Sequence, residues 1–285
     1  MSRLPMIVGG VGTFLGAAIL GFVAVLAREA SLSNRDVQAL QARVATLEEA
    51  LATPEGHGRP NVTTDFNGTV NLPAIKESAY LDPLASVLGE VSVGSEVYVA
   101  PFASIRGDEG HPITVGDETN VQDGVVIHAL ETHSHGTAVP NRTYEVNGKP
   151  YAVYIGRRVS LAHQSQVHGP ARIDDDVFIG MQALVFKSWV GHNAVVEPGA
   201  KVIGVTIPPN RYVPAGMVVT DAATAARLPE ITEDYAFRGL NEAVVHVNTS
   251  FAHGYDAAAH PAAEPPGGGH VPAAGPAPEH ASTGH

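Results

Sequence analysis

The chain has 285 residues, 44% of them hydrophobic, enough for one large domain or two small ones with a sizeable core. Lys and Arg number 17 against 29 for Asp and Glu; the formal charge of −12 argues against a nucleic-acid groove and leaves small neutral or metal-bound substrates open. Cysteine is absent, which excludes a disulfide frame, thiolate metal ligands and a cysteine nucleophile, so a transition metal would rely on His and carboxylates.

Residues 6–26 carry no charge and are rich in Gly, Ala, Val and Leu. As a helix they would cross a bilayer core of about 30 Å. We expect a transmembrane anchor over 1–27, the alternative being a signal peptide whose cleavage would give a secreted protein. Arg3 precedes the run, and Arg28 after it is offset by Glu29, which places the main body outside the cytoplasm. Val37, Leu40, Val44, Leu47 and Leu51 then recur at spacings of three and four, an a/d seam that predicts a short coiled-coil stalk within 28–56. A single amphipathic helix lying on the membrane or on the domain is the alternative. Pro54, Gly56, Gly58 and Pro60 end this helix and mark a linker.

A six-residue period governs 57–219. Val87, Val93, Val99 and Ile105 stand six apart, then Val115, Val121 and Ile127, then Ile155, Leu161, Val167, Ile173, Ile179 and Val185. After a one-residue slip follow Val190, Val196 and Val202. A helix does not repeat every six residues, and plain strand alternation does not skip to every sixth. One aliphatic side chain per short strand, filling a central column, fits a parallel β-helix of hexapeptide repeats. The fold class is therefore an all-β solenoid, closed near the proline-flanked segment 208–214.

Within 220–255, residues 221–228 and about 233–253 read as helices, the second carrying Leu240, Val244, Val247 and Phe251 on one face to dock on the solenoid flank. Residues 256–285 are mostly Ala, Pro, Gly and His and predict a disordered tail. His253, His260, His270, His280 and His285 either collect metal ions loosely or stay solvated. Asn-X-Ser/Thr sequences at Asn61, Asn67, Asn141 and Asn248 are candidate glycan acceptors.

The phase of the repeat places three histidines. His128 follows the inward Ile127, His168 follows the inward Val167, and His163 lies two beyond the inward Leu161, so all three project outward. His163 and His168 span roughly 16 Å if extended and fall on successive hexapeptides that meet at a corner. Two histidines from one solenoid and one from a neighbour would supply three nitrogen ligands and leave a fourth position open, as in a catalytic zinc site. Polar surface histidines without a ligand role are the bland alternative.

The stretch Ile105-Arg106-Gly107-Asp108-Glu109, the stretch from Asn120 through Gln122 and Asp123 to His128, and the run LAHQSQVHGP from Leu161 to Pro170 resemble the gamma-class carbonic anhydrases, in particular the archaeal exported type. The resemblance covers roughly 61–255. It implies a left-handed β-helix and a homotrimer in which His128 and His168 of one subunit and His163 of the next bind one Zn²⁺, or Fe²⁺, per subunit. The metal would lower the pKa of a bound water to about 7 for attack on CO₂, giving bicarbonate. Gln122 would orient that water with Asn120 holding Gln122, and Asn241 would position CO₂. Glu109 and Glu131 would be the inner and outer proton carriers, Arg106 and Asp108 would bridge subunits, and Asp123 would join them. His133 and His135 would assist as shuttles or remain bare loop histidines. His246 stands where the family commonly has Tyr. Two other readings remain: a hexapeptide-repeat acyltransferase with a single basic histidine, and a non-catalytic scaffold.

Overall fold

The computed structural model describes residues 58–259, together with the helical positions Asp36, Gln38 and Gln41. The anchor, most of the stalk and the tail beyond 259 lie outside the described residues. No helix among the described residues is long and apolar enough to cross a membrane.

Short strands coil into three parallel sheets of eight, seven and seven strands, the walls of a solenoid. The register explains the six-residue period. On the first wall Val87, Ile105, Ile127, Val167, Val185 and Val202 stack in line. On the second wall stand Val93, Val115, Ile155, Ile173 and Val190, and on the third Val99, Val121, Leu161, Ile179 and Val196. Six residues carry the chain from one wall to the next, and three such steps raise it one coil. Every aliphatic residue of the repeat is buried in one continuous core. The last coil runs past Pro214, Val213 pairing with Val196 and Val219 with Val202, so the solenoid ends at Val219.

Corners fall three residues after the inward aliphatic, where Glu96, Phe102, Glu118, Arg158, Gln164, Asp176 and Gln182 all have positive φ. Stacked corner side chains satisfy one another: Gln182 Nε2 donates to Gln164 Oε1 at 2.9 Å, and Arg158 Nε to Asp176 Oδ1 at 2.7 Å. Glycine often follows the aliphatic residue because the coils stack closely there; a Cβ on Gly116 would collide with the carbonyl of Gly156 in the next coil.

Helix α1 (Ala222–Ala226) is capped by Asp221, whose Oδ1 accepts from Thr224 N at 2.8 Å. Ala225 and Leu228 complete the core at the end of the solenoid. Helix α2 (Leu240–Ala259) starts later than the apolar pattern suggests, after Gly239 at φ 78°, and extends beyond the expected start of the tail. It lies against the third wall. The docked face overlaps the expected stripe but is centred beside it: Leu240 and Val244 pack on Ala162, Phe178 and Val195. Val245, Asn248 and Ala252 are buried. Leu240 and Val244 are only partly covered, while Val247 and Phe251 remain 47% and 45% exposed. Of the candidate glycan acceptors, Asn61, Asn67 and Asn248 are buried with Nδ2 donating to backbone carbonyls, and Asn141 is exposed in a turn.

Candidate functional site

His128 and His168 end neighbouring strands of the first wall, Val126–His128 and Gln166–His168, and are direct Cα partners. Parallel in-register pairing stacks their side chains on the outer face, with ring centroids 4.2 Å apart and planes at 66°. His128 Nδ1 lies 3.1 Å from Glu109 Oε1, and His168 Nδ1 lies 3.1 Å from the carbonyl of Gly169. A carbonyl and a carboxylate accept, so each Nδ1 is the donor and each Nε2 is left without a partner among the described residues. Burial, the largest influence, pushes the His168 pKa down against the Gly169 hydrogen bond, and nearby His128 adds to it, favouring the neutral ligand form.

Glu109 is the hub of this half-site. Its Oε1 also accepts from Arg106 Nη2 at 3.2 Å, and Arg106 Nε is 3.5 Å from Asp108 Oδ1. The pair expected to bridge subunits therefore also forms an ion pair within one chain. The long insertion folds into two hairpins, His133–Ser134 with Thr137–Ala138 and Tyr144–Val146 with Lys149–Tyr151. Glu131 enters the first hairpin, and its Oε1 lies 3.3 Å from Arg142 Nη2. His133 stacks on His111 with centroids 4.7 Å apart, and His135 turns the first hairpin at φ 47°.

His163 stands elsewhere, at the corner that follows the third wall, its Nδ1 held by Asp123 Oδ2 at 2.9 Å. It too is left with a free Nε2. Beside it runs a buried chain of amides: Gln122 Nε2 donates to Asn120 Oδ1 at 2.9 Å, and Asn120 Nδ2 donates to Ser160 Oγ at 2.9 Å. With its nitrogen tied down, Gln122 presents Oε1 as an acceptor. His163, Gln122 and Asp123 border an open cavity of about 620 Å³ whose other walls are Phe178, Met181 and the exposed stripe of α2. Among the described residues no three His, Asp or Glu side chains come close enough to hold a metal ion. His128 and His168 are brought together, and His163 is not brought to them.

Asn241 is not in this cavity. Its Nδ2 donates to the carbonyl of Arg158 at 2.8 Å, and it lines a separate polar cavity with Asp176, His192 and His246. Asn248 is the amide that borders the Gln122 cavity. Seven residues on a helix return to the same face about 10 Å further along its axis, so Asn248 stands two turns beyond Asn241 on a shared face. Asn248 was visible only as a candidate glycan acceptor; the helical phase of the sequence could have found it. His246 likewise lines the second cavity and not the one bordered by Gln122, so the expected departure at His246 does not bear on that cavity's lining. Ser160 and Arg142 carried no signal in the sequence.

No family model matches the chain. It is 61% identical over 198 residues to the carbonic anhydrase of Methanosarcina thermophila, spanning 69% of this chain and 80% of that protein. It is 30% identical over 147 residues to the mitochondrial gamma carbonic anhydrase 2 of Arabidopsis thaliana, spanning 51% of this chain and 46% of that one. A carboxysome assembly protein of Nostoc sp. is 39% identical over 175 residues, 60% of this chain and 30% of that protein. Among solved structures, a Bacillus cereus protein described as an acetyltransferase superposes with a TM-score of 0.52 at 24% identity, covering 66% of this chain and 93% of that one, a likeness of fold alone. On the extent and identity of these matches, the chain belongs to the gamma-class carbonic anhydrase family.

Proposed function

We propose that the protein interconverts CO₂ and bicarbonate at metal sites shared between the subunits of a homotrimer, His128 and His168 coming from one subunit and His163 from the next. One observation carries this reading. All three imidazoles have Nδ1 engaged, by Glu109, Gly169 and Asp123, and Nε2 free, yet they stand on two separate parts of one chain. Three neutral nitrogen donors fit Zn²⁺ or Fe²⁺. The uncovered apolar stripe of α2 beside His163 is the kind of face that a second copy buries.

A metal ion in such a site acidifies a water to a pKa of about 7 and so supplies the nucleophile for CO₂. The chain does the rest. Gln122 Oε1 accepts from the attacking water and turns its lone pair toward carbon, and Asn120 and Ser160 keep Gln122 in that orientation. Asn248 and the apolar wall of Phe178, Met181 and Val247 form a pocket for an uncharged, linear substrate. Glu109, against His128, takes up the proton, and Glu131, 42% exposed at its side chain, passes it to buffer. The reading includes membrane attachment through residues 6–26 with the catalytic domain outside the cytoplasm, which recovery of the full chain in the soluble fraction of its host would refute.

Complementation tests the shared site. The variant His163→Ala and the double variant His128→Ala/His168→Ala should each lose metal and activity. Co-expressed, they should regain part of both, because one kind of interface in a mixed trimer holds a complete ligand set. A failure to regain metal in mixed assemblies would sink the intersubunit arrangement.

A further inference from the structure

The geometry points to Arg142 as a positioning residue that holds the outer proton carrier, Glu131, next to Thr132, whose N and Oγ1 both donate to the carbonyl of Glu109; this rests on the carbonic anhydrase reading above. Glu131 sits just before the first hairpin of the insertion, and Arg142 lies between the two hairpins. Both hairpins close on two-residue turns with positive φ at both positions, His135-Gly136 at 47° and 76° and Asn147-Gly148 at 51° and 74°. Such turns match strand twist and give a stiff frame, so the glutamate is the soft part of the assembly. Its side chain has several rotatable bonds, and an outer shuttle works only while its carboxylate stays within reach of the inner acid.

Arg142 supplies that restraint in a particular form. Its Nη2 meets Glu131 Oε1 at 3.3 Å, while Glu131 Oε2 has no partner among the described residues. One oxygen is anchored and the other is left to exchange a proton. The Arg142 side chain is 21% exposed, and its Nη1 is buried without an acceptor among the described residues. A guanidinium serving only to staple two hairpins would be expected to grip the carboxylate with both nitrogens and leave no buried donor unpaired. The single-handed grip and the unpaired Nη1 make a poor staple and a suitable holder for a carboxylate that must protonate and deprotonate.

The test uses the full-length, metal-loaded enzyme in stopped-flow CO₂ hydration. Arg142→Ala should lower kcat in weak buffer by on the order of threefold to tenfold. Strong buffer, which carries the proton directly, should restore the rate. The ratio kcat/KM, set before proton release, should not move, nor should the melting temperature. Arg142→Lys should recover part of the loss. In a Glu131→Gln background, Arg142→Ala should have no further effect. An Arg142→Ala enzyme as fast as the parent in weak buffer, a loss that strong buffer does not restore, or losses that add to that of Glu131→Gln would each overturn the proposal. A parent enzyme without CO₂ hydration would overturn the carbonic anhydrase reading itself, a result separable from failure of the arginine alone.

Discussion

Ser160→Ala isolates the hydrogen-bond chain behind the substrate cavity. Ser160 and Asn120 are fully buried, and Ser160 Oγ is the acceptor for Asn120 Nδ2 at 2.9 Å. Alanine removes the oxygen without leaving room for water, so the cost is that of one orphaned amide N–H, about 1–3 kcal/mol. Two functional consequences follow from the order of the chain. Metal content should be unchanged, since no histidine contact involves Ser160. With Asn120 free to turn, Gln122 loses its fixed amide orientation, and kcat/KM should fall roughly tenfold, the lower end of what loss of an outer hydrogen-bond partner costs at such sites. Ser188→Ala is the control: that buried hydroxyl donates to Phe186 O and accepts from Val205 N, away from Gln122. It should destabilise comparably in urea yet leave kcat/KM intact. If Ser160→Ala lowers stability while kcat/KM stays at the parent value, the amide chain is scaffolding and Gln122 needs no support from it.

Asn248→Ala should lower kcat/KM for CO₂, whereas Asn241→Ala should weaken the seating of α2 at Arg158, seen as faster amide exchange of its first turns, with kcat/KM little changed; the reverse pattern would return the substrate role to Asn241. Glu131→Gln should slow kcat in weak buffer only, and equal rates at all buffer strengths would remove it from proton transfer. Gly169→Ala should unfold the chain at a lower urea concentration and reduce metal retention, because a Cβ there would meet the Ala152 carbonyl and stand 2.7 Å from Ala129 Cβ, next to the ligand His168. Normal metal content with normal stability would show that the strand end yields more readily than its packing implies.

The column of the solenoid could be read from the chain because one inward aliphatic per six residues is a requirement of the fold itself: a smaller side chain at Val121, Leu161 or Ile179 would leave a void and a polar one would go unpaired in the core that the three walls enclose. The same phase told which histidines point outward, and Asn120 with Gln122 emerged from the resemblance of their stretch. Helix α2 was harder. It packs on a wall on one side and borders an open cavity on another, so its most apolar stripe is not its most buried face. Leu240 and Val244 of the expected stripe do pack on the wall and Phe251 meets Tyr98, but the most buried positions are Val245, Asn248 and Ala252. Asn241 came from the resemblance, and Asn248, seven residues on, shares its helical face but borders the other cavity. The Glu131–Arg142 pair was hidden for a different reason: it joins two points of an insertion whose hairpin geometry follows no repeat.

The architecture also accounts for the division of the proposed ligand set into a pair and a single histidine. Parallel coils in register place His128 beneath His168 at the spacing of neighbouring strands, so one wall yields two nitrogens with no special loop. A third ligand on that wall would need an adjacent coil, and the coil on the far side of His168 presents Phe186, whose ring lies 5.1 Å from the His168 ring and shields it. On the other side of His128, the strand of Ile105 brings Arg106, which serves Glu109. The wall is thus filled above and below the pair, and the remaining approach is from outside the solenoid. In the proposed trimer, His163, exposed at a corner with Nδ1 against Asp123, would make that approach to another copy. On the proposed arrangement, the six-residue repeat that builds the core would also divide the site, and assembly would become a condition of holding the metal.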